Sequence, residues 1–397
     1  MASTARGFTR AKPMIPAIPH IQWPQRDKAV VRKAVFPLNI AVPCFHPVSV
    51  MHRRLPILRS RRPQATFGGM MAAMNLFERS PFARVMADVP VTVYDVGARG
   101  GVDLDLLPLA FAVDAVAFEP HPEEYKRLVD GGAAAGPWRS LRHLPYAVSG
   151  TGGRRPLHVT TDPAAASLLR HDPAIGERFN KPQFFTVERT IDVDTRTLDE
   201  AAAGPPDFLK LDAEGAELEI LQAAPAALAN LVAIKTEVSF IPLRAGQPLA
   251  ADIDRFLRGQ GFILMDYSGF AHWRRRGYVI HPHVDRGDEG YSRGQIIHGD
   301  AVYFVDPESM ADGDDAAVQR LLKAAFIAMG YGFFDHAQMI LERPPVAAFL
   351  GDRYAIRPAP ALRRTSRMYA RRACLRALAR HLRGLGPYVR TTARLLR

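Results

Sequence analysis

The chain has 397 residues, 48% hydrophobic and 23% charged, with a formal net charge of +12; this excludes a fibrous or wholly disordered protein and allows a sizeable core. The charge is uneven: residues 1–75 hold twelve Lys/Arg and one acid, residues 359–397 hold eleven Arg and no acid, and the body between them is left at −10. An acidic body disfavours a nucleic-acid groove there, whereas the basic ends suit a polyanion or an anionic membrane surface.

Residues 1–69 are rich in Pro and Arg and lack a sustained apolar period, which predicts a basic extension that does not pack. Either it is a genuine arm, or translation starts at Met70, Met71 or Met74. An Arg-rich, acid-poor leader also suggests an organelle transit peptide, but the prolines weaken an amphipathic helix. Residues 75–87 read as one or two short helical turns. Four compact apolar runs follow, each ending in an acid: Val91–Asp95, Ala115–Glu119, Asp207–Asp212 and Leu231–Glu237. Helical patterns at Glu123–Val129 and Ala216–Ala224 lie between them. Short buried strands alternating with helices predict an α/β fold with a mainly parallel sheet. Ligands of such sheets bind at the carboxyl ends of the strands, where these acids fall. Further strands are expected at Leu157–Thr160, Phe185–Val193, Phe262–Tyr267 and Ala301–Val305, closing a domain over 70–306. Ala316–Ala328 and Phe334–Leu341 predict a helical hairpin around Gly330-Tyr331-Gly332, within an extension over 307–358. The segment 359–397 predicts a basic helix in which Leu362, Leu375, Leu378, Leu382 and Leu385 are scattered among arginines.

The sharpest local signal is Asp95-Val96-Gly97-Ala98-Arg99-Gly100-Gly101, directly after a strand. Glycine at a strand-to-helix turn lets the backbone bend tightly and approach a ligand. A helix is expected from near Val102, short or broken because of Pro108. The next strand ends in Phe118-Glu119-Pro120, and a carboxylate there can accept both ribose hydroxyls of an adenosine. The turn lacks the G-x-G-x-x-G spacing that seats a pyrophosphate on a helix N-terminus. It also begins with an acid, which repels pyrophosphate and suits the ammonium and sulfonium groups of S-adenosyl-L-methionine. That disfavours the rival reading, an NAD(P)-dependent oxidoreductase. A non-catalytic S-adenosylmethionine-binding protein is the other alternative.

The second constellation is Leu209–Leu221, containing Lys210, Asp212, Glu214, Gly215 and Glu217. Lys210 and Asp212 are two apart and share a strand face. Glu214 and Glu217 could be no more than acids favoured at a helix N-terminus. That does not account for a Lys and an Asp within a strand that otherwise reads as buried. Asp212 and Glu214 are therefore expected at the mouth of the sheet, beside the transferred group.

Asp95–Gly101, Ala117–Pro120 and Lys210–Leu221 together resemble the FkbM family of methyltransferases, the Lys-x-Asp-x-Glu-Gly segment being the most specific part. Tyr146–Ser149, Ala166–Leu169 and Val193–Leu198 agree, and Glu237 ends the following strand as the family's Glu does. The resemblance spans roughly 75–306 and leaves out the tails and the helical hairpin. It implies a Rossmann-like seven-stranded methyltransferase sheet, with methyl transfer to a hydroxyl oxygen of a sugar or natural product. One departure is Arg99, where many members carry Asn; the Ala-Arg-Gly-Gly form resembles a subgroup.

The site so expected has Asp95, Gly97, Ala98, Arg99, Gly101, Glu119 and Pro120 around the cofactor. Asp212 is expected as general base, Glu214 or Glu237 positioning the acceptor hydroxyl and Lys210 orienting a carboxylate. Acids at one strand edge could instead hold Mg²⁺, but no spacing demands a metal. Acceptor contacts are expected from Trp273, Arg274 and His281, with Tyr278 and His283 nearby, because Trp and Arg offer stacking and donors for a sugar or glycolipid. The same segment could equally be a solvated hairpin tip. The two cysteines, Cys44 and Cys374, cannot build a disulfide framework. With no apolar run long enough to cross a bilayer, a cytoplasmic protein is expected, peripheral at the inner membrane face if the tails bind there.

Overall fold

The computed structural model describes residues 75–130, 136–201, 204–277 and 294–395, all within one unit, Pro63–Arg397. The expected extension over 1–69 lies outside the described residues.

Seven strands form the main sheet, in the order β3-β2-β1-β7-β8-β10-β9. They are β1 (Val91–Val96), β2 (Val113–Phe118), β3 (Ser140–Leu144), β7 (Phe208–Leu211), β8 (Ala233–Ser239), β9 (Phe262–Trp273) and β10 (Gln295–Val305). β3, β2, β1, β7 and β8 are mutually parallel, while β10 is antiparallel to both neighbours. This is the mainly parallel sheet that the strand–helix alternation predicts, and its seven strands are those of the Rossmann-like sheet that the resemblance implies. A smaller sheet, β4-β6-β5, is built from β4 (Ala147–Val148), β5 (Gly153–Thr160) and β6 (Val187–Arg196).

Burial on both faces explains why the strands read as continuous apolar runs. In β1, Val91 and Val93 enter one core, and Tyr94 and Val96 enter the other. The second core is closed by the helices Glu217–Gln222, Pro225–Asn230 and Ala250–Gly259, which contribute Ile220, Leu228 and Ile253.

The first core differs from the expectation. No α-helix follows the glycine turn; the chain makes a 3-10 helix, Leu107–Ala112, with Pro108 in its first turn. The C-terminal helices fill that layer. Asp315–Tyr331, Phe334–Leu341 and Pro344–Tyr354 form a three-helix layer where a hairpin was expected, and Val318, Leu322, Phe326, Ile340 and Leu350 join the core under β1 and β2. A Cβ on Gly330 would lie 2.7 Å from a Leu109 methyl, so glycine there lets the helix pack closely on the 3-10 turn. Lys323 Nζ donates to Asp207 Oδ2 (2.8 Å) ahead of β7, and Arg320 donates to the carbonyls of Ala229, Asn230 and Leu231. Cations at the exposed carbonyls of a helix end are favoured by its dipole.

β3 escapes the sequence pattern because it is the sheet edge: Ser140-Leu-Arg-His-Leu144 is half exposed and carries no apolar run. The expected basic helix is a single element, Pro358–Leu395. Among the described residues no helix is long and apolar enough to cross a membrane.

Candidate functional site

β1 and β7 are neighbours at the point where strand order reverses, and Asp95 is the register partner of Lys210. Loops diverge at such a point and leave a crevice. The turn after β1 has left-handed backbone at Gly97 (φ 78°), Gly100 (φ 80°) and Gly101 (φ 111°). Gly97 is pinned: a Cβ would sit 2.0 Å from the carbonyl oxygen of Asp212. At Gly100 and Gly101 a Cβ would meet nothing within 4 Å, so that side of the turn is open. The N–H groups of Gly97 and Ala98 both donate to Phe118 O (3.2 Å), tying the turn to the end of β2, next to Glu119.

Glu119 is buried, which raises its pKa, while the N–H of His121 donates to its Oε1 (2.8 Å) and partly offsets this. Pro120, half buried, follows it at the rim. Arg99 is turned elsewhere: Nη1 donates to Pro163 O (3.0 Å), and Nη2 lies 3.6 Å from Glu124.

Asp95, at the end of β1, is engaged by the protein itself. It is buried, its Oδ2 accepts from the N–H of Asp103 (2.7 Å), and its Oδ1 lies 3.1 Å from Lys210 Nζ. Burial raises its pKa, with Lys210 opposing. Lys210 also lies 3.5 Å from Asp212 Oδ2 and donates to Gly97 O (3.3 Å). Burial works against the charge of Lys210, but Asp95 and Asp212 override it and raise its pKa. The lysine therefore clamps the glycine turn to the acid after β7. Beneath it, Lys235 on β8 joins Asp103 (2.8 Å) and Asp105 (2.7 Å), holding the rest of the turn.

Glu214 adopts φ 54°, a left-handed conformation costly for a residue with a Cβ. It is held from three sides. Arg244 donates to its carboxylate, Ser167 Oγ donates to its carbonyl (2.7 Å), and Gly215 follows with φ 109°. Ser167 lies in the Ala166–Leu169 segment. Glu217 is buried rather than solvated at a helix end: its Oε1 accepts from the N–H groups of Ala213 (2.9 Å) and Gly215 (3.0 Å). Burial pushes its pKa up to about 7.

Glu237 on β8 completes the cluster. Ligand atoms of Asp212, Glu214 and Glu237 lie within 4.8 Å of one another. Burial and the charges of Asp212 and Glu214 push the Glu237 pKa well above the usual range. Its Oε1 is 2.8 Å from Nδ1 of His298 on β10. Burial opposes a charge on His298, but the Glu237 hydrogen bond and charge overcome it and raise the pKa. Three close carboxylates could receive a hard cation. Each, however, already faces a cationic or protonatable side chain: Lys210, Arg244 and His298 respectively. The cluster is internally compensated.

Lys210, Asp212, Glu214 and Glu237 are thus brought together beside Gly97, Ala98 and Asp95. Trp273 ends β9 half buried, stacked on Phe184 (centroids 6.0 Å apart) and edge-on to His298 (6.1 Å). It links the expected acceptor segment to the acid cluster, though packing occupies much of its surface. Arg274 follows it, half buried, while Tyr278, His281 and His283 lie outside the described residues. Sequence reasoning missed His298 and Arg244. Neither lies in a motif, and the only signal was a polar residue interrupting an apolar or loop stretch.

Residues 95–264 match the family model described as the methyltransferase FkbM domain. A search of curated protein sequences returns no significant match. Among solved structures, precorrin-6y C5,15-methyltransferase from Geobacter metallireducens is 10% identical (TM-score 0.27), covering 56% of this chain and 87% of its own. Magnesium protoporphyrin IX methyltransferase from Synechocystis, with bound SAM, is 12% identical (TM-score 0.27; 56% and 76%). A putative RNA methyltransferase from Pyrococcus horikoshii is 11% identical (TM-score 0.28; 56% and 79%).

Proposed function

We propose, from the match of residues 95–264 to the family model described as the methyltransferase FkbM domain, that this chain transfers a methyl group from S-adenosyl-L-methionine to a hydroxyl oxygen of a sugar, glycan or natural-product acceptor. The observation that carries the reading is the contact of Gly97 with Asp212, which joins an open glycine turn to an acid and histidine cluster. The cofactor fits the residues present: the turn is unobstructed at Gly100 and Gly101, and Glu119, at the end of the adjacent strand, is the residue we assign to the ribose hydroxyls. S-adenosyl-L-methionine supplies an activated methyl group on a sulfonium.

The protein's share is alignment and proton removal. Lys210 holds the turn and Asp212 in one rigid unit. Arg244 and Ser167 hold Glu214, so that Asp212 and Glu214 can orient the acceptor hydroxyl. The Glu237–His298 pair is the proton acceptor: the carboxylate engages Nδ1 and leaves the other ring nitrogen for the hydroxyl proton. This moves the base from Asp212, which is engaged with Lys210, to His298.

Calorimetry of the full chain with S-adenosyl-L-methionine and with S-adenosyl-L-homocysteine tests the reading. Both should bind and NAD(P) should not; a folded chain that binds neither sulfur compound sinks it. Transfer of labelled methyl to hydroxyl acceptors, across a panel of glycans and polyketides, tests the acceptor class.

A further inference from the structure

The helix Pro358–Leu395 has two halves with different surroundings. In the first, Ala361, Leu362 and Thr365 are buried, and Tyr369 packs against Phe77 and Phe334. Beyond it, Leu375, Leu378 and Leu382 are 67%, 56% and 58% exposed. Their spacing of three and four residues places them on one helix face. Monomeric proteins seldom leave leucines in such a row in water. The same helix carries only cations: residues 359–397 hold eleven arginines and no acid. Arg363, Arg364, Arg367, Arg371 and Arg376 are exposed, and among the described residues none of them pairs with an acid. Burial and the charges of Arg376 and Arg79 lower the pKa of Arg372, so like charges are crowded there.

We propose that residues 371–382 lie on an anionic lipid surface, with the three leucines inserted between headgroups and Arg371 and Arg376 on lipid phosphates. A leucine row with an unpaired arginine array matches an interface that is apolar inside and anionic at its rim. A second copy of the chain fits poorly, because pairing two such helices would set their arginines against each other. A nucleic acid would answer the arginines but leave the leucines in water. The body's −10 charge argues that this helix, seated by its first half, makes the contact.

The test is co-sedimentation of the full chain with phosphatidylcholine vesicles, with and without phosphatidylglycerol, across a salt series. Binding should require the anionic lipid and weaken as salt rises. The triple variant Leu375→Ser, Leu378→Ser, Leu382→Ser should lower the partition coefficient about tenfold or more, because the insertion is lost. Its circular dichroism and melting temperature should match the parent, since the replaced side chains are exposed. Several results would each overturn the proposal. These are no vesicle binding, equal binding to neutral vesicles, undiminished binding by the triple variant, or a dimer in vesicle-free ultracentrifugation that the variant abolishes. RNA binding that excludes vesicles and ignores the leucine changes would assign the helix to nucleic acid instead.

Discussion

Glu237 and His298 meet diagonally across the antiparallel β8–β10 pair: His298 is the register partner of Ser239, yet its Nδ1 lies 2.8 Å from Glu237 Oε1. The carboxylate is what keeps this imidazole basic in a buried place. Glu237→Gln should therefore lower the His298 pKa by about one unit or more, followed by its ring-proton chemical shift through a pH titration. An unchanged pKa would mean that Asp212 and Glu214 alone govern the histidine.

For the reaction, His298→Gln should leave cofactor affinity within about twofold, yet slow methyl transfer on the order of 100-fold or more. Because the parent histidine has a raised pKa, the base form gains with rising pH, and the parent rate should climb with pH to a plateau that lies above the ordinary imidazole range. Loss of cofactor binding in the variant would place His298 in the binding pocket instead.

Two glycines of one turn should behave differently. Gly97→Ala adds both a left-handed strain and a Cβ 2.0 Å from Asp212 O, and should abolish cofactor binding and lower the melting temperature sharply. Gly100→Ala meets open space and should cost only about 1 kcal/mol, retaining the fold. Equal effects would show that φ alone, not the Asp212 contact, is the constraint.

Lys210→Met should destabilise the chain by about 3–5 kcal/mol, because it leaves the buried Asp95 carboxylate without its cation. Adding Asp95→Asn should recover part of that loss, read as coupling in a double-mutant cycle by chemical denaturation.

Glu217 makes a pH prediction with a definite sign. A carboxyl whose folded pKa exceeds its unfolded value binds its proton more tightly when folded. Its stabilising effect is complete below about 4.5 and is lost as pH rises through about 7. Glu217→Gln keeps an oxygen for the N–H groups of Ala213 and Gly215 and does not titrate. Relative to the parent it should gain on the order of 3 kcal/mol between pH 5 and 8, measured as the change in unfolding free energy.

Much of the scaffold was legible in linear order. Strands buried on both faces leave compact apolar runs, and β1, β2, β7 and β8 were placed to within about two residues. β3 was invisible, because an edge strand needs only one apolar side. Asp95 was found but its partner was not: the lysine that a strand-end acid meets is set by the neighbouring strand.

The order of residues by itself determined the glycine turn, the Lys210–Glu217 motif and the uneven charge, since these rest on backbone freedom and residue chemistry at close spacing. Only the folded chain decided which side chains would share the site. His298 and Arg244 reach Glu237 and Glu214 from segments remote in sequence, and the C-terminal helices replace a missing crossover layer. Contacts of that range depend on strand order and on which face each residue presents, and no local pattern encodes either.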